Sequence, residues 1–191
     1  MSLIAGVDEV GRGCLFGSVV AAAVVVNPAQ EAQLWAMGVR DSKKLFAKKR
    51  TLLVPKIEAV VADWAIAAAS VEEIDEVNIL QATFFAMGRA VEQLITTPDE
   101  LLIDGKQIIP NCKYAQTALI KGDDLSGAIA AASILAKVYR DKLMVEFAET
   151  YPEYDLANNK GYGTKKHRLA IANYGLTPHH RRSFKLKEFS V

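Results

Sequence analysis

Leu3-Ile4-Ala5-Gly6-Val7-Asp8-Glu9-Val10-Gly11-Arg12-Gly13 is an apolar run that meets two adjacent acids and then a Gly-Arg-Gly turn. Leu3–Asp8 has the composition of a short buried strand, and the glycines permit a sharp turn after it. Successive strand residues point to opposite faces. Asp8 and Glu9 therefore serve one site only if the strand ends there and the chain turns. A dinucleotide-binding reading uses the same glycines, as Gly11-x-Gly13-x-x-x-Gly17. It needs a helix next and the third glycine one position earlier. Instead Ser18–Val26 is nearly continuous in apolar residues, which reads as a second strand. A cofactor phosphate would also meet two acids before the turn. Both points count against a nucleotide-dependent oxidoreductase.

Working outward, Trp64–Ala69, Leu101–Asp104 and Tyr114–Ile120 read as further strands. Helical spacing covers Lys48–Asp63, Glu72–Leu94, Leu125–Glu149 and Thr164–Tyr174. Pro55 is expected to bend or restart the first of these helices, and the second has a break near Asn78. The expected class is α/β, with a mixed sheet flanked by helices and a helical, basic C-terminal segment. Residues 1–191 are read as one domain, with 156–191 as its basic segment.

The 191 residues are 51% hydrophobic and 24% charged, which excludes disorder and a disulfide scaffold. Two cysteines, Cys14 and Cys112, fit a reducing compartment. The longest apolar stretch, Val19–Val26, is far short of the roughly 20 residues that cross a bilayer. No basic-then-apolar leader pattern opens the chain. A soluble, cytoplasmic protein with no membrane partner is expected.

Net charge is +1, but it is unevenly placed. Residues 156–191 hold eight Lys/Arg and one acid; residues 1–155 hold 15 Lys/Arg and 21 acids. A second basic run comprises Arg40, Lys43, Lys44, Lys48, Lys49 and Arg50. This asymmetry points to a polyanionic partner.

Asp104 ends a second apolar strand, and adjacent strand ends converge on one edge of an α/β sheet, so it is a candidate to join Asp8 and Glu9. Lys121-Gly122-Asp123-Asp124 precedes the long helix. Acids there also suit a capping role, because unpaired N–H groups and the helix dipole favour them. Oxygen-donor acids without a Cys/His pattern suit a hard ion, Mg²⁺ or Mn²⁺. His167, His179 and His180 lack zinc-finger spacing.

Five segments taken together resemble bacterial ribonuclease HII over nearly the whole chain. They are Asp8-Glu9-Val10-Gly11-Arg12-Gly13, Asp41-Ser42-Lys43-Lys44-Leu45, the Ala130–Asp141 helix, Lys160-Gly161-Tyr162-Gly163-Thr164-x-x-His167, and His179-His180-Arg181-Arg182-Ser183-Phe184. The resemblance implies a ribonuclease H-like fold. It also implies a metal-dependent endonuclease that cuts RNA paired with DNA 5′ to a ribonucleotide, leaving 3′-hydroxyl and 5′-phosphate ends. Its substrates would include single ribonucleotides embedded in duplex DNA, which links it to replication and repair. By the same resemblance, Asp8, Glu9, Asp104 and Asp123 match the metal-binding acids, with Asp124 the alternative to Asp123. Asp141 is read as structural. Gly11, Arg12 and Gly13 match the loop that senses the ribose 2′-hydroxyl through backbone atoms, and Tyr162 matches a tyrosine that stacks on the neighbouring sugar. Cys14 stands where the family usually has Pro, and Leu176 where it often has Pro.

Two divalent ions about 4 Å apart would activate a water and relieve charge on the leaving oxygen. Lys43, Lys44, Lys165 and Arg181 are the candidate phosphate contacts, supplying affinity rather than sequence choice. A monomer is expected. The competing class is a non-catalytic nucleic-acid-binding module of the same fold, against which the retained acids argue.

Overall fold

The computed structural model describes residues 2–40 and 42–185. Asp41 and residues 186–191, including Lys187 and Glu188, lie outside that set, as does the side chain of Lys44. Five strands form one mixed sheet: β1 (Ile4–Val10), β2 (Val19–Val26), β3 (Asp63–Ala69), β4 (Glu100–Asp104) and β5 (Ala115–Leu119), in the order β3-β2-β1-β4-β5. β1 is antiparallel to β2 and parallel to β4, and β4 is parallel to β5. β2 is buried along its whole length, which is why it reads as an unbroken apolar run rather than an alternating one.

The helices are α1 (Pro28–Ala36), α2 (Ala47–Val60), α3 (Val71–Glu92), α4 (Gly122–Leu125), α5 (Gly127–Thr150), α6 (Leu156–Asn159) and α7 (Lys165–Tyr174). α3 packs on one sheet face through Ile74, Ala82, Ala86, Met87 and Ala90, against Val7, Val19, Ala21, Leu101 and Ile103. α5 covers the other face with its run of alanines, and α1 and α2 complete that layer through Leu34, Leu53 and Ile57. The alanines allow close approach, and Gly6 marks the tightest point. A Cβ built on Gly6 would stand 2.2 Å from the backbone of Ala128 and Ile129.

Three local expectations are corrected. β1 does not stop at Asp8 but runs to Val10, because Asp8, Glu9 and Val10 still pair with β2. α2 passes through Pro55 without a break; the carbonyl robbed of its donor is that of Thr51, an exposed residue. α1 is a helix that the expected elements did not include, starting at Asn27-Pro28 where β2 ends. Asn27 and Gln30 form a reciprocal capping box that starts it. The expected break in α3 is at Asn78, whose φ is 73°. Its side chain accepts from Leu80 and Gln81 N–H at 2.9 and 3.2 Å, so it caps the second helical segment. The long helix begins after Ser126, where Glu31 of α1 accepts Ser126 Oγ–H at 2.9 Å and Gly127 N–H at 2.8 Å.

The C-terminal segment is woven into the molecule. His179 and Arg181 pair by backbone with Gly17 and Leu15, and Asp75 of α3 accepts the Arg182 and Ser183 N–H groups at 2.9 Å each. Phe16, Met144, Tyr154, Leu156, Ala170 and Ile171 make a separate small core beneath it.

Candidate active site

The parallel pairing of β1 and β4 ends at Val7 and Ile103. The next residue on each strand is an acid, Asp8 and Asp104, so topology alone sets these two carboxylates side by side. Strand alternation puts Asp8 on the α5 face and Glu9 on the α3 face. β1 outruns β4 here, so neither acid is walled off from Asp104. Each of the two feels the Asp104 charge, which raises its proton affinity.

Burial, then repulsion from Glu9 and Asp104, pushes the Asp8 carboxyl well above the usual carboxylate range. Hydrogen bonds from Ser133 and from the Glu9 N–H, at 2.7 Å, oppose that rise. Glu9 is also raised, chiefly by burial, against the pull of Arg12, whose guanidinium lies 3.3 Å away. Asp104 accepts the Gly122 N–H at 2.7 Å, which docks α4 beside the strand ends. On α4, Asp123 is buried and Asp124 exposed. Among the described residues, no three His, Cys, Asp or Glu side chains already converge as a ready metal cage.

A cleft of about 40 Å³ opens here, lined by Glu9, Arg12, Thr83, Phe84, Asp104 and Lys106. A much larger groove of about 530 Å³ lies between α2, β3 and α5, and none of Asp8, Glu9, Asp104 and Asp123 lines it.

The Gly-Arg-Gly turn follows β1 directly. Gly11 has φ 93°, and a Cβ there would meet Arg140 Nε at 2.2 Å. Gly13 is different: nothing comes closer to a Cβ there than Tyr162 Cε1, at 3.9 Å. A β-bridge between Cys14 and Tyr162 holds the tyrosine loop against this turn. The Cys14 N–H closes the turn onto the Gly11 carbonyl at 3.3 Å, a bond that proline could not make.

Sequence reasoning missed what supports this loop. Arg140 is fully buried and donates to the carbonyls of Ser18, Lys160 and Phe16 at 3.0, 2.7 and 2.8 Å. Its signal was its place on the core-facing stripe Ala132, Ala136, Arg140, Met144. Ser42 was missed too: its hydroxyl lies 2.9 Å from that of Ser133, the partner of Asp8.

Arg181 is corrected. It is 2% exposed, not a surface phosphate contact, and it donates to the carbonyls of Gly17 and Arg12 at 2.9 Å each. Lys43 and Lys165 are exposed, and Tyr162 is 42% exposed. The candidate side chain of Lys44 lies outside the described residues. Arg50 of the basic run serves the fold, donating to the Ser42 carbonyl at 2.9 Å and pairing with Asp141 at 3.6 Å. Asp141 also pairs with Lys137 at 2.6 Å.

Comparison with known proteins adds the deciding observation: residues 5–187 match the family model of ribonuclease HII. The chain belongs to the ribonuclease HII family. It is similar to ribonuclease HII of Acaryochloris marina, 53% identical over 95% of this chain and 91% of the relative. Ribonuclease HII of Synechocystis is 51% identical, covering 95% of both chains. Among solved structures, ribonuclease H2 of Pyrococcus horikoshii superposes with a TM-score of 0.81 at 26% identity, over 96% of this chain and 94% of that one. The ribonuclease HII of Archaeoglobus fulgidus, solved in complex with PCNA, gives 0.81 at 25% identity, over 99% and 98%. The fold is therefore ribonuclease H-like, and a ribonuclease HII is a metal-dependent hydrolase with ribonuclease H endonuclease activity on RNA/DNA substrates. Among the described residues, no helix is long and apolar enough to cross a membrane.

Proposed function

We propose that this ribonuclease HII cuts at the 5′ side of a ribonucleotide in an RNA/DNA hybrid or alone in duplex DNA, leaving 3′-hydroxyl and 5′-phosphate ends. The observation that carries this reading is the pairing of an open Gly13 with the Tyr162 ring, immediately downstream of the acids. The 2′-hydroxyl separates RNA from DNA at one nucleotide. Backbone groups of Gly11, Arg12 and Gly13 bind it, and the Tyr162 ring lies against the next sugar, where a deoxyribose is accepted.

Asp8, Glu9, Asp104 and Asp123 hold the divalent ions. An all-carboxylate donor set fits Mg²⁺ or Mn²⁺, and within it burial, then neighbouring carboxylates, raises the proton affinity of Asp8, while burial chiefly raises that of Glu9. When bound, the ions supply an activated water and charge relief at the leaving oxygen. The chain's own groups orient that chemistry: Ser133 and the Glu9 amide aim Asp8, the Gly122 amide aims Asp104, and Arg12 steadies Glu9. Lys43, Lys44 and Lys165 bind backbone phosphates. The enzyme works as one domain and as a monomer, in the cytoplasm, where replication leaves ribonucleotides in DNA.

The test is cleavage of a duplex with one ribonucleotide by two variants. Tyr162→Ala is expected to lower kcat/KM by about tenfold or more, and Tyr162→Phe by less than about threefold, since the ring and not the hydroxyl stacks. Equal losses would assign the role to the phenol oxygen and remove the stacking account.

A further inference from the structure

We propose that His167 and His180 are positioning residues for sugar recognition. In this proposal the two neutral imidazoles form a hydrogen-bond relay from the 177–180 turn to the Tyr162 carbonyl and hold the tyrosine in place. The proposal rests on the sugar-stacking reading of Tyr162 given above.

Both rings are buried, at 0% and 1% exposure, and their Nε2 atoms are 3.1 Å apart. The ends of the relay fix every proton in it. The Thr177 amide can only donate, and it lies 2.9 Å from His180 Nδ1, which must therefore carry a lone pair; the Thr177 hydroxyl, also at 2.9 Å, then donates to the same nitrogen. The Tyr162 carbonyl can only accept, and it lies 2.9 Å from His167 Nδ1, which must therefore carry the hydrogen. Neutral His180 then bears its hydrogen on Nε2 and donates it to the bare Nε2 of His167. The two rings take opposite tautomers, and a proton added to either sets two N–H groups face to face.

The surroundings favour the neutral pair. Phe16 and Tyr154 rings pack against His180 at 5.0 Å each, and Tyr154 packs against His167 at 6.1 Å. The titratable groups nearby are Asp155, which pairs with Lys166 at 3.0 Å, then His179 and Arg181, the chain neighbours of His180. Burial, then the neighbouring His167, lowers His180 to about 4. Burial also lowers His167, against the Tyr162 carbonyl and Asp155. An ordinary buried histidine pair would end on any convenient group. This one ends on Tyr162, which is flanked by two glycines and is also held by the Thr164 amide at 2.8 Å, by its own amide on Asn159 at 3.0 Å and by the β-bridge to Cys14. It thereby ties the C-terminal turn to the tyrosine loop.

Long-range ¹H–¹⁵N spectra of the ¹⁵N-histidine-labelled full chain at pH 7.5 read the tautomers directly. We expect Nε2–H on His180 and Nδ1–H on His167; matching tautomers, or a charged ring, overturn the relay. Kinetics on the single-ribonucleotide duplex read the function. His167→Leu should lower kcat/KM by about tenfold. His167→Asn, whose amide nitrogen replaces Nδ1, should recover activity to within about threefold of wild type. In a Tyr162→Ala background, His167→Leu should add no further loss. A folded His167→Leu enzyme with wild-type activity, or losses that multiply in the double variant, would overturn the positioning role. Wild-type activity in Tyr162→Ala alone would instead sink the stacking reading and the positioning role with it, while the spectra would still decide the tautomers.

Discussion

Asp8 concentrates the tension in this molecule. It is buried beside Glu9 and Asp104, and its ionised form is disfavoured by both. Its pKa in the folded protein lies above the unfolded value, so the native state binds more protons across that window and loses stability as pH rises through it. Asp8→Asn should therefore abolish cleavage yet raise the metal-free melting temperature at pH 7.5, by about 2–4 °C for roughly 1 kcal/mol. A lowered melting temperature would show that Asp8 is held by more than it repels. Gly11 and Gly13 offer a second residue-scale contrast. Gly11→Ala meets both a positive φ and the Arg140 guanidinium and should destabilise by about 2 kcal/mol or more. Gly13→Ala meets only ordinary contact at 3.9 Å, so its melting temperature should hold within about 1 °C while cleavage falls at least tenfold. Parallel losses of stability and activity at Gly13 would take away its ligand-facing role.

The strands were legible because their apolar runs are short and end at turn formers, and the Asn78 break was legible because the helical pattern itself slips there. The end of β1 was not, since nothing in Asp8-Glu9 tells that β2 continues to pair with them. Adjacent strand ends brought Asp104 to Asp8, as the topology rule implied. The basic tail misled: counting cations sees charge, and only packing shows that Arg181 faces carbonyls rather than solvent. Arg140 belongs to the same lesson. It is a guanidinium on a core stripe that satisfies three loop carbonyls at once, with no carboxylate in that set. Arg140→Met would keep the helix and the volume but strip those carbonyls of their donors. We expect a cost of about 3 kcal/mol or more in thermal or denaturant unfolding, with the 11–17 loop losing hydrogen-exchange protection first. A variant as stable as wild type would mean that the carbonyls find other donors.

For the whole molecule, the C-terminal segment and the first strand–turn unit form one edge, bound through the 15–17 and 179–181 backbone pairing and through the buried histidines. Both histidines have lowered pKa values in the folded state, so their contribution is present above the unfolded value of about 6.5. It is lost as pH falls toward about 4, where His180 protonates in the folded protein. In the Asp8→Asn protein, with the largest opposing carboxylate gone, the melting temperature should fall steadily from pH 7 to pH 5; a flat or rising curve would contradict neutral buried rings. The central claim, that the carboxylate edge and the glycine–tyrosine pair together read and cut at one ribonucleotide, is tested most directly by mapping the cut. A DNA duplex with one embedded ribonucleotide is incubated with the full chain, with Mg²⁺ or Mn²⁺ or with chelator, beside the same duplex in all-deoxy form. The account predicts a single nick 5′ to the ribonucleotide, dependent on the ion and absent from the all-deoxy duplex. A nick on the 3′ side, cleavage in chelator, or equal cutting of the all-deoxy duplex would contradict it.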